Sequence, residues 1–478
     1  MNAGVFVLLG PLIALAATIL VLMIAVAVHR RPRLTAVLAL AGLAVAFLLL
    51  FRAPTPDLGS ATALLAIDDY ARFYTGLILA ATAAVTLLSI GYLERLSEQR
   101  DEFYMLLLLA ALGSIVLVSS AHFVSFFLGL ELLSVSLYAL IAYPRTREQA
   151  IEAGVKYLVL AAASAAFLLF GMALVYAELG TMAFGRMTMP TATPDRIVAL
   201  AGIGLIVVGF GFKLALAPFH LWTPDVYQGA PAPTTAFVAT VSKGAMFAVL
   251  VRYFSGIDVR ADHALFLVFT ILAIASMVGG NLLALLQHNV KRLLAYSSIA
   301  HLGYLLVAFL ASGALATTAI AFYLVAYFVT MIGAFGVVAV LSTGERDADR
   351  LDDFRGLALR RPWLSGVFTA MLLSLAGIPL TAGFVGKFYL TVAAGGAALW
   401  GLLIVMMVTS GIGLFYYLRV IVAMCMQPAT ESAAVVGTLH VPLVAGLMLA
   451  ALTMLLVWLG IYPGPLIAVI RSAVAGVA

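Results

Sequence analysis

Five lysines and one glutamate are the residues of this sequence whose types and positions could do chemistry. The lysines are Lys156, Lys213, Lys243, Lys291 and Lys387, and all but Lys291 fall inside long apolar runs. The arginines lie mostly between such runs or at their ends. Arginine keeps its charge in proteins, whereas an ammonium taken out of water can release its proton near neutral pH. A chain that keeps arginine out of apolar segments but places lysine within them favours proton carriers over permanent charges. An ionisable residue at the centre of a membrane helix costs about 2.5–3.5 kcal/mol on insertion scales, so function is the first reading of each.

Glu131 is the one carboxylate deep in an apolar run. At about 1.5 Å per helical residue it lies about 18 Å from the end of its helix, and Lys156 lies about 15 Å up the next one. A short loop joins the two helices, so an ion pair between Glu131 and Lys156 is expected. Such a pair would respond to an arriving or departing proton; the alternative is a purely structural tie. Lys213 precedes Pro218, and a proline frees backbone carbonyls and admits water. His220 follows Lys213 by seven residues, which would share a face on an unbroken helix. An ordinary histidine pKa of about 6.5 suits a relay, although His220 could equally satisfy the broken backbone. Lys243 is expected near mid-membrane beside Thr240 and Ser242. Ser297, His301 and Tyr304 form one polar stripe, open to proton relay or to hydrogen bonding between helices. Lys387 is expected past the midplane, toward the outside. Asp225, among Pro224, Pro231 and Pro233, reads as a structural or gating residue. Lys291 and Arg292 read as topological. His29, His122, His263, His288 and His440 lie near span ends and receive no role. No metal-ligand spacing is present.

These residues need membrane helices to hold them. Of the 478 residues 64% are apolar and 10% are charged, against roughly 25% charged in a soluble domain. The apolar runs are continuous rather than alternating, which excludes a soluble enzyme and an outer-membrane barrel. The lone Cys425 can hold neither an iron–sulfur cluster nor an internal disulfide. No phosphate-binding glycine loop follows a strand pattern. The net charge of +5 reflects loop arginines rather than a nucleic-acid surface. Val5 to Val28 is too long for a signal-peptide core and lacks a basic start, so it reads as a retained span.

Fourteen spans are expected, at 5–28, 35–51, 70–93, 103–120, 123–143, 148–178, 197–219, 233–254, 264–286, 293–311, 315–341, 363–391, 397–425 and 442–463. With the N-terminus outside, inward loops hold 15 of the loop lysines and arginines and outward loops hold 7. That asymmetry puts both termini outside. Two stretches, 197–251 and 362–418, each pair an internal proline with a buried lysine, and the order is reversed between them: Lys213 before Pro218, Pro379 before Lys387. Broken helices at corresponding positions point to inverted repeats around a transport site; chance is the alternative. The expected fold is therefore an all-α polytopic membrane protein with two inverted repeats. Its parts are residues 1–102 (spans 1–3), 103–262 (first repeat, spans 4–8), 263–425 (second repeat, spans 9–13) and 426–478 (span 14 and tail).

The stretch from 212 to 235, Phe-Lys-Leu-Ala-Leu-Ala-Pro-Phe-His-Leu-Trp-Thr-Pro-Asp-Val-Tyr-Gln-Gly-Ala-Pro-Ala-Pro-Thr-Thr, resembles the signature of the antiporter-like subunits of respiratory complex I. Gly-Leu-Glu-Leu-Leu-Ser-Val-Ser-Leu-Tyr at 129–138, Glu-Ala-Gly-Val-Lys-Tyr at 152–157, the segment 289–304 and the segment 375–388 are similar to it as well. The resemblance covers roughly residues 120–390. It implies an antiporter-like fold in a bacterial inner membrane and proton translocation coupled to NADH–quinone oxidoreduction. Glu131 and Lys156 would be the switching pair, Lys213 the central site, His220, Lys243 and His301 the lateral relay, and Lys387 the release site. It also implies partners: antiporter-like subunits M and L, small subunits K, J, A and H, and a peripheral arm. NADH, FMN, iron–sulfur clusters and quinone would belong to other subunits, with no cofactor in this chain. Two other readings remain at this stage. One is a subunit of a multi-subunit sodium/proton antiporter, for which Glu131 and Asp225 are a thin supply of oxygen ligands. The other is a membrane scaffold that pumps nothing.

Overall fold

The computed structural model describes residues 3–52, 62–96, 100–187, 193–427 and 441–476. His440 lies outside them. The described residues are helical throughout, joined by short loops and three isolated β-bridges. In chain order the main helices are α1 (Gly10–Val28), α2 (Pro32–Arg52), α3 (Asp69–Leu93), α4 (Asp101–Val118), α5 (Phe123–Ile141) and α6 (Glu148–Leu179). Next come α7 (Thr193–Leu214), the short α8 (Trp222–Gly229), α9 (Ala232–Phe254), α10 (His263–Leu285), α11 (Val290–Ala311) and α12 (Gly313–Leu341). The chain closes with α13 (Pro362–Ala376), α14 (Ala382–Gly396), α15 (Trp400–Cys425), α16 (Leu443–Ile461) and α17 (Gly464–Val474).

Thirteen of the described helices are long and apolar enough to cross a membrane. The expected twelfth span is not one helix but two, α13 and α14, of 15 residues each. The expected helix through Pro218 also differs. It stops at Leu214, because Ala215 turns left-handed (φ 60°) ahead of the proline. The second break has the same cause: Gly377 (φ 84°) and Leu380 (φ 69°) flank Pro379. Lys213 closes the helix before the first break, and Lys387 sits in the second turn after the other.

The bundle centres on α9, α11 and α12, whose residues are almost all buried, while α1, α2, α6, α15 and α16 present apolar faces outward. Several helix pairs cross at glycines, among them α6 and α7, where a Cβ on Gly171 would lie 2.5 Å from the carbonyl oxygen of Gly202. A Cβ on Gly113 would lie 2.5 Å from the backbone of Leu133, so α4 and α5 touch backbone to backbone. Likewise α10 and α11 meet at Gly280, where a Cβ would lie 2.7 Å from the backbone nitrogen of Ala300. Small residues let membrane helices approach this closely, and lipid supplies no hydrophobic force to do it otherwise.

Buried charge ties the arginine-rich end of the bundle. Asp347, in the loop after α12, accepts from Lys291 (2.7 Å), Arg147 (3.0 Å) and Tyr92 (2.7 Å). Lys291 is fully buried and also donates to the carbonyl of Ala230 at 2.6 Å. This corrects its reading as a topological loop residue, since it clamps α11 to that loop and to the segment before α9. Burial alone would raise the Asp347 carboxyl, but the charges of Lys291 and Arg147 and the hydrogen bonds from Lys291 and Tyr92 outweigh it and hold it below the ordinary range. At the opposite end Asp68 caps α3 and pairs with Arg252 at 2.7 Å, and Asp262 caps α10 and pairs with Arg196.

Two outcomes follow. Gly113→Val should destabilise the folded protein by about 1–3 kcal/mol through overpacking, whereas Gly204→Ala, which meets no atom within 4 Å, should change little; thermal unfolding in detergent compares them. Because its folded pKa is depressed, Asp347 contributes stability above its unfolded value of about 3.9 and loses it as the pH falls through the lower folded value. Melting temperature should therefore drop in that acid range. Asp347→Asn should lack that component and, by leaving Lys291 buried without a counter-charge, lose about 3–5 kcal/mol at neutral pH.

Candidate functional site

Three of the five lysines meet neutral acceptors, Lys213 and Lys243 buried and Lys387 half-buried. Lys213, at the end of α7, donates to Ser134 Oγ of α5 (2.6 Å) and to Tyr157 OH of α6 (3.2 Å). Its ammonium also sits 5.1 Å from the Tyr157 ring centroid. Lys243 is where α9 resumes its α-helical form, directly after a π-helical turn over Val238–Ser242. It donates to Ser298 Oγ of α11 at 2.7 Å, with the Tyr227 and Trp222 rings 5.2 and 5.9 Å away. Lys387 donates to the carbonyl of Ala376, left open by the helix break (2.9 Å), and to Ser410 Oγ of α15 (2.7 Å). The Tyr304 ring lies 5.5 Å from its ammonium. Among the described residues none of these three lysines pairs with a carboxylate. A serine hydroxyl or a carbonyl holds an ammonium without supplying the opposite charge that would fix it in that form.

Polar and aromatic groups bridge the three. Tyr157 stacks near Trp222 (centroids 4.9 Å), which stands between Lys213 and Lys243. Ser298 takes a second hydrogen bond, from Tyr327 OH of α12, at 2.7 Å. The Tyr327 ring lies 5.6 Å from His301, whose Nδ1 meets Tyr323 OH at 2.5 Å and whose Nε2 meets Tyr417 OH at 3.1 Å. Tyr417 also bonds Ser297. His301 lies 5.4 Å from the Tyr304 ring, which completes the line to Lys387. Asn281 of α10 fixes that end by donating to Tyr304 OH and accepting from Tyr416 OH. The steps across Trp222 and across the rings beside His301 are not hydrogen bonds. A proton crosses them only through water or a side-chain rotation.

The remaining sequence candidates are placed differently. Lys156 does not meet Glu131. It bonds Asp225 Oδ2 of α8 at 2.8 Å and Glu152 at 2.6 Å, one turn back on its own helix. Asp225 is shared with Arg292 at 2.7 Å, so it joins α6, α8 and α11. Equal depth in neighbouring helices does not set rotation about the helix axis: Lys156 turns to the edge of the bundle, and its side chain is 43% exposed. Glu131 makes no hydrogen bond or ion pair among the described residues; it stands one turn before Ser134 on α5. His220 is not brought to Lys213 by any hydrogen bond. The break after Leu214 removes the helical spacing, and the ring lies half-buried against Tyr296, with Nδ1 unpartnered.

Sequence reasoning missed Ser134, Tyr157, Ser298, Tyr323, Tyr327, Ser410 and Tyr417, the hydroxyls that hold the axis together. One signal was present: Tyr323 and Tyr327 stand four apart in an otherwise apolar run, one face of a helix.

Residues 120–413 match the family described as NADH:quinone oxidoreductase/Mrp antiporter, transmembrane. NADH-quinone oxidoreductase subunit N of Nitrosospira multiformis is 53% identical over 98% of this chain and 96% of its own length. The protein of the same name from Ectopseudomonas mendocina is 48% identical over 97% and 95%. A chain in the structure of respiratory complex I from Thermus thermophilus with bound aureothin superposes with a TM-score of 0.82 at 36% identity, covering 96% of this chain and 98% of that one. A chain of the Mrp complex from a Dietzia species gives 0.86 at 20% identity, covering 100% and 98%, a likeness of fold alone. A helical bundle with two broken helices, interior lysines and relatives of this closeness over nearly its whole length places the chain: it belongs to the NADH:quinone oxidoreductase/Mrp antiporter transmembrane family, in the group of NADH-quinone oxidoreductase subunit N.

Proposed function

We propose that this chain translocates protons within an assembled NADH–quinone oxidoreductase, along the axis from Lys213 through Lys243 and His301 to Lys387. The single observation that supports this most is the choice of partners: these three lysines meet hydroxyls and a carbonyl, whereas Lys156 and Lys291 meet aspartates. Structural lysines want a fixed counter-charge; carriers need to exist in both forms.

Each group then has a role. Glu131 stands one helical turn before Ser134, the hydroxyl that holds Lys213, and so places a carboxylate on the helix facing that lysine. Lys156 and Asp225 form the responsive pair, because Asp225 shares α8 with Trp222, the ring between Lys213 and Lys243. A charge arriving beside Lys156 would draw on Asp225, shift α8 and change what Lys213 feels. Lys243 and Ser298 pass the proton to Tyr327 and His301, and Lys387 releases it. His220, with an open ring nitrogen, serves water at the break rather than the line of carriers. Electron transfer from NADH to quinone, with its FMN and iron–sulfur centres, belongs to other subunits, and the neighbours are the antiporter-like subunits M and L, the smaller subunits K, J, A and H and the peripheral arm. The arginine-rich end faces the cytoplasm, both termini face the periplasm of an inner membrane, and 103–262 and 263–425 are inverted repeats. The recurring glycine crossings (α4–α5 and α10–α11) and the recurring breaks support that division.

Lys213→Ala or Glu131→Ala in the assembled complex should lower proton pumping per quinone reduced by about tenfold or more, the scale on which a positioned proton carrier acts. Ser298→Ala should do the same while leaving assembly intact. Normal pumping by all three would overturn the axis. Lys243→Met separates this reading from a scaffold, which would tolerate it without loss of transport. A sodium-dependent, quinone-independent flux would favour the antiporter reading instead.

A further inference from the structure

The arginine-rich end carries a cleft that the proton axis does not use. It measures about 720 Å³ and lies between the α1–α2 turn and the ends of α3 and α4. Arg30, Arg31, Arg33 and Arg100 surround it, and Leu34, Ile90, Leu93 and Tyr104 give it an apolar floor. Two carboxylates oppose the four guanidiniums: Glu102 meets Arg30 at 3.1 Å, and Glu94 meets Arg33 at 3.4 Å. Arg33 is 89% exposed, so its pair is weak. Arg100 donates to the carbonyls of Glu94 and Leu96. Asp101 adds a third carboxylate at the start of α4, where it accepts from Thr35 at 3.0 Å, so four arginines face three carboxylates and the described residues around the cleft keep a surplus of one positive charge.

The cleft continues into the membrane. Leu34 begins an exposed apolar stripe on α2 that runs through Val37, Ala41, Val45 and Leu48. These residues are three or four apart and share one face of the helix. A groove with guanidiniums at the height of the helix ends and an uninterrupted hydrocarbon track below has the chemistry of a phospholipid, phosphate at one end and acyl chain at the other. Guanidinium forks match a phosphate geometrically, and a soluble phosphate has no use for the stripe.

We propose that this cleft is a binding site for an anionic phospholipid, with its phosphate held by Arg30, Arg31 and Arg33 and an acyl chain laid along α2. The site is independent of the proton axis, so it can fail without affecting that reading.

The test uses the whole complex purified in mild detergent. Native mass spectrometry counts retained phospholipid for the unaltered complex, for the triple variant Arg30→Gln/Arg31→Gln/Arg33→Gln, and for Arg145→Gln, an exposed arginine at the same end outside the cleft. The expected result is retained phosphatidylglycerol in the unaltered and Arg145→Gln complexes and at least tenfold less in the triple variant, with subunit composition unchanged. A photo-crosslinker at Leu34 should label phosphatidylglycerol from added vesicles, not phosphatidylcholine, and excess glycerol phosphate should not compete. Should the triple variant fail to assemble, this crosslinking decides alone. Equal retention in the triple variant, equal labelling by phosphatidylcholine, displacement by glycerol phosphate, or crosslinking to a neighbouring protein subunit would each overturn the proposal.

Discussion

An ammonium group held in a low-dielectric interior must be given an acceptor, and the kind of acceptor decides what the group can do. Lys156 and Lys291 are given aspartates, so each is tied to an element: one holds α6 to α8, the other closes the arginine-rich end. Lys213, Lys243 and Lys387 are given hydroxyls and a backbone carbonyl, which hydrogen-bond an ammonium and tolerate its neutral form. Five lysines in one chain thus fall into two physical classes. The division follows the partner each ammonium meets.

The broken helices make the second class possible. A continuous membrane helix satisfies its own backbone and offers an ammonium no free carbonyl, only side-chain hydroxyls such as Ser134 and Ser298. Where α13 stops at Ala376, a carbonyl is left over, and Lys387 takes it. Where α7 stops at Leu214, the chain turns through Ala215 and returns as α8, bringing Trp222 against Tyr157 and close to Lys243. The glycine crossings serve the same end, because bringing α10 and α11 into backbone contact sets the register of the helix that carries Ser298 and His301.

Permanent charge is kept away from this axis. Arg147, Lys291 and Asp347 are locked together at one end, and Arg252 with Asp68 at the other. Lys156 with Asp225 is the charged pair that reaches the edge of the bundle.

Much was legible in the sequence. Hydropathy located the spans, because length and apolarity alone decide what crosses lipid. Lys213, Lys243 and Lys387 stood out because an ionisable residue in an apolar run is conspicuous whatever surrounds it. The prolines marked both breaks to within a few residues. The partners were hidden for a physical reason. Helices facing lipid and helices facing the core are equally apolar, so composition cannot tell which way a side chain turns, and a Ser or Tyr hydroxyl is unremarkable until a lysine points at it. That is why Lys156 seemed paired with Glu131 yet turns to Asp225, and why Lys291 looked like a loop residue yet is fully buried. The sequence by itself determined which groups sit in the membrane; only the tertiary structure, by fixing the rotation of each helix about its own axis, decided which of them meet.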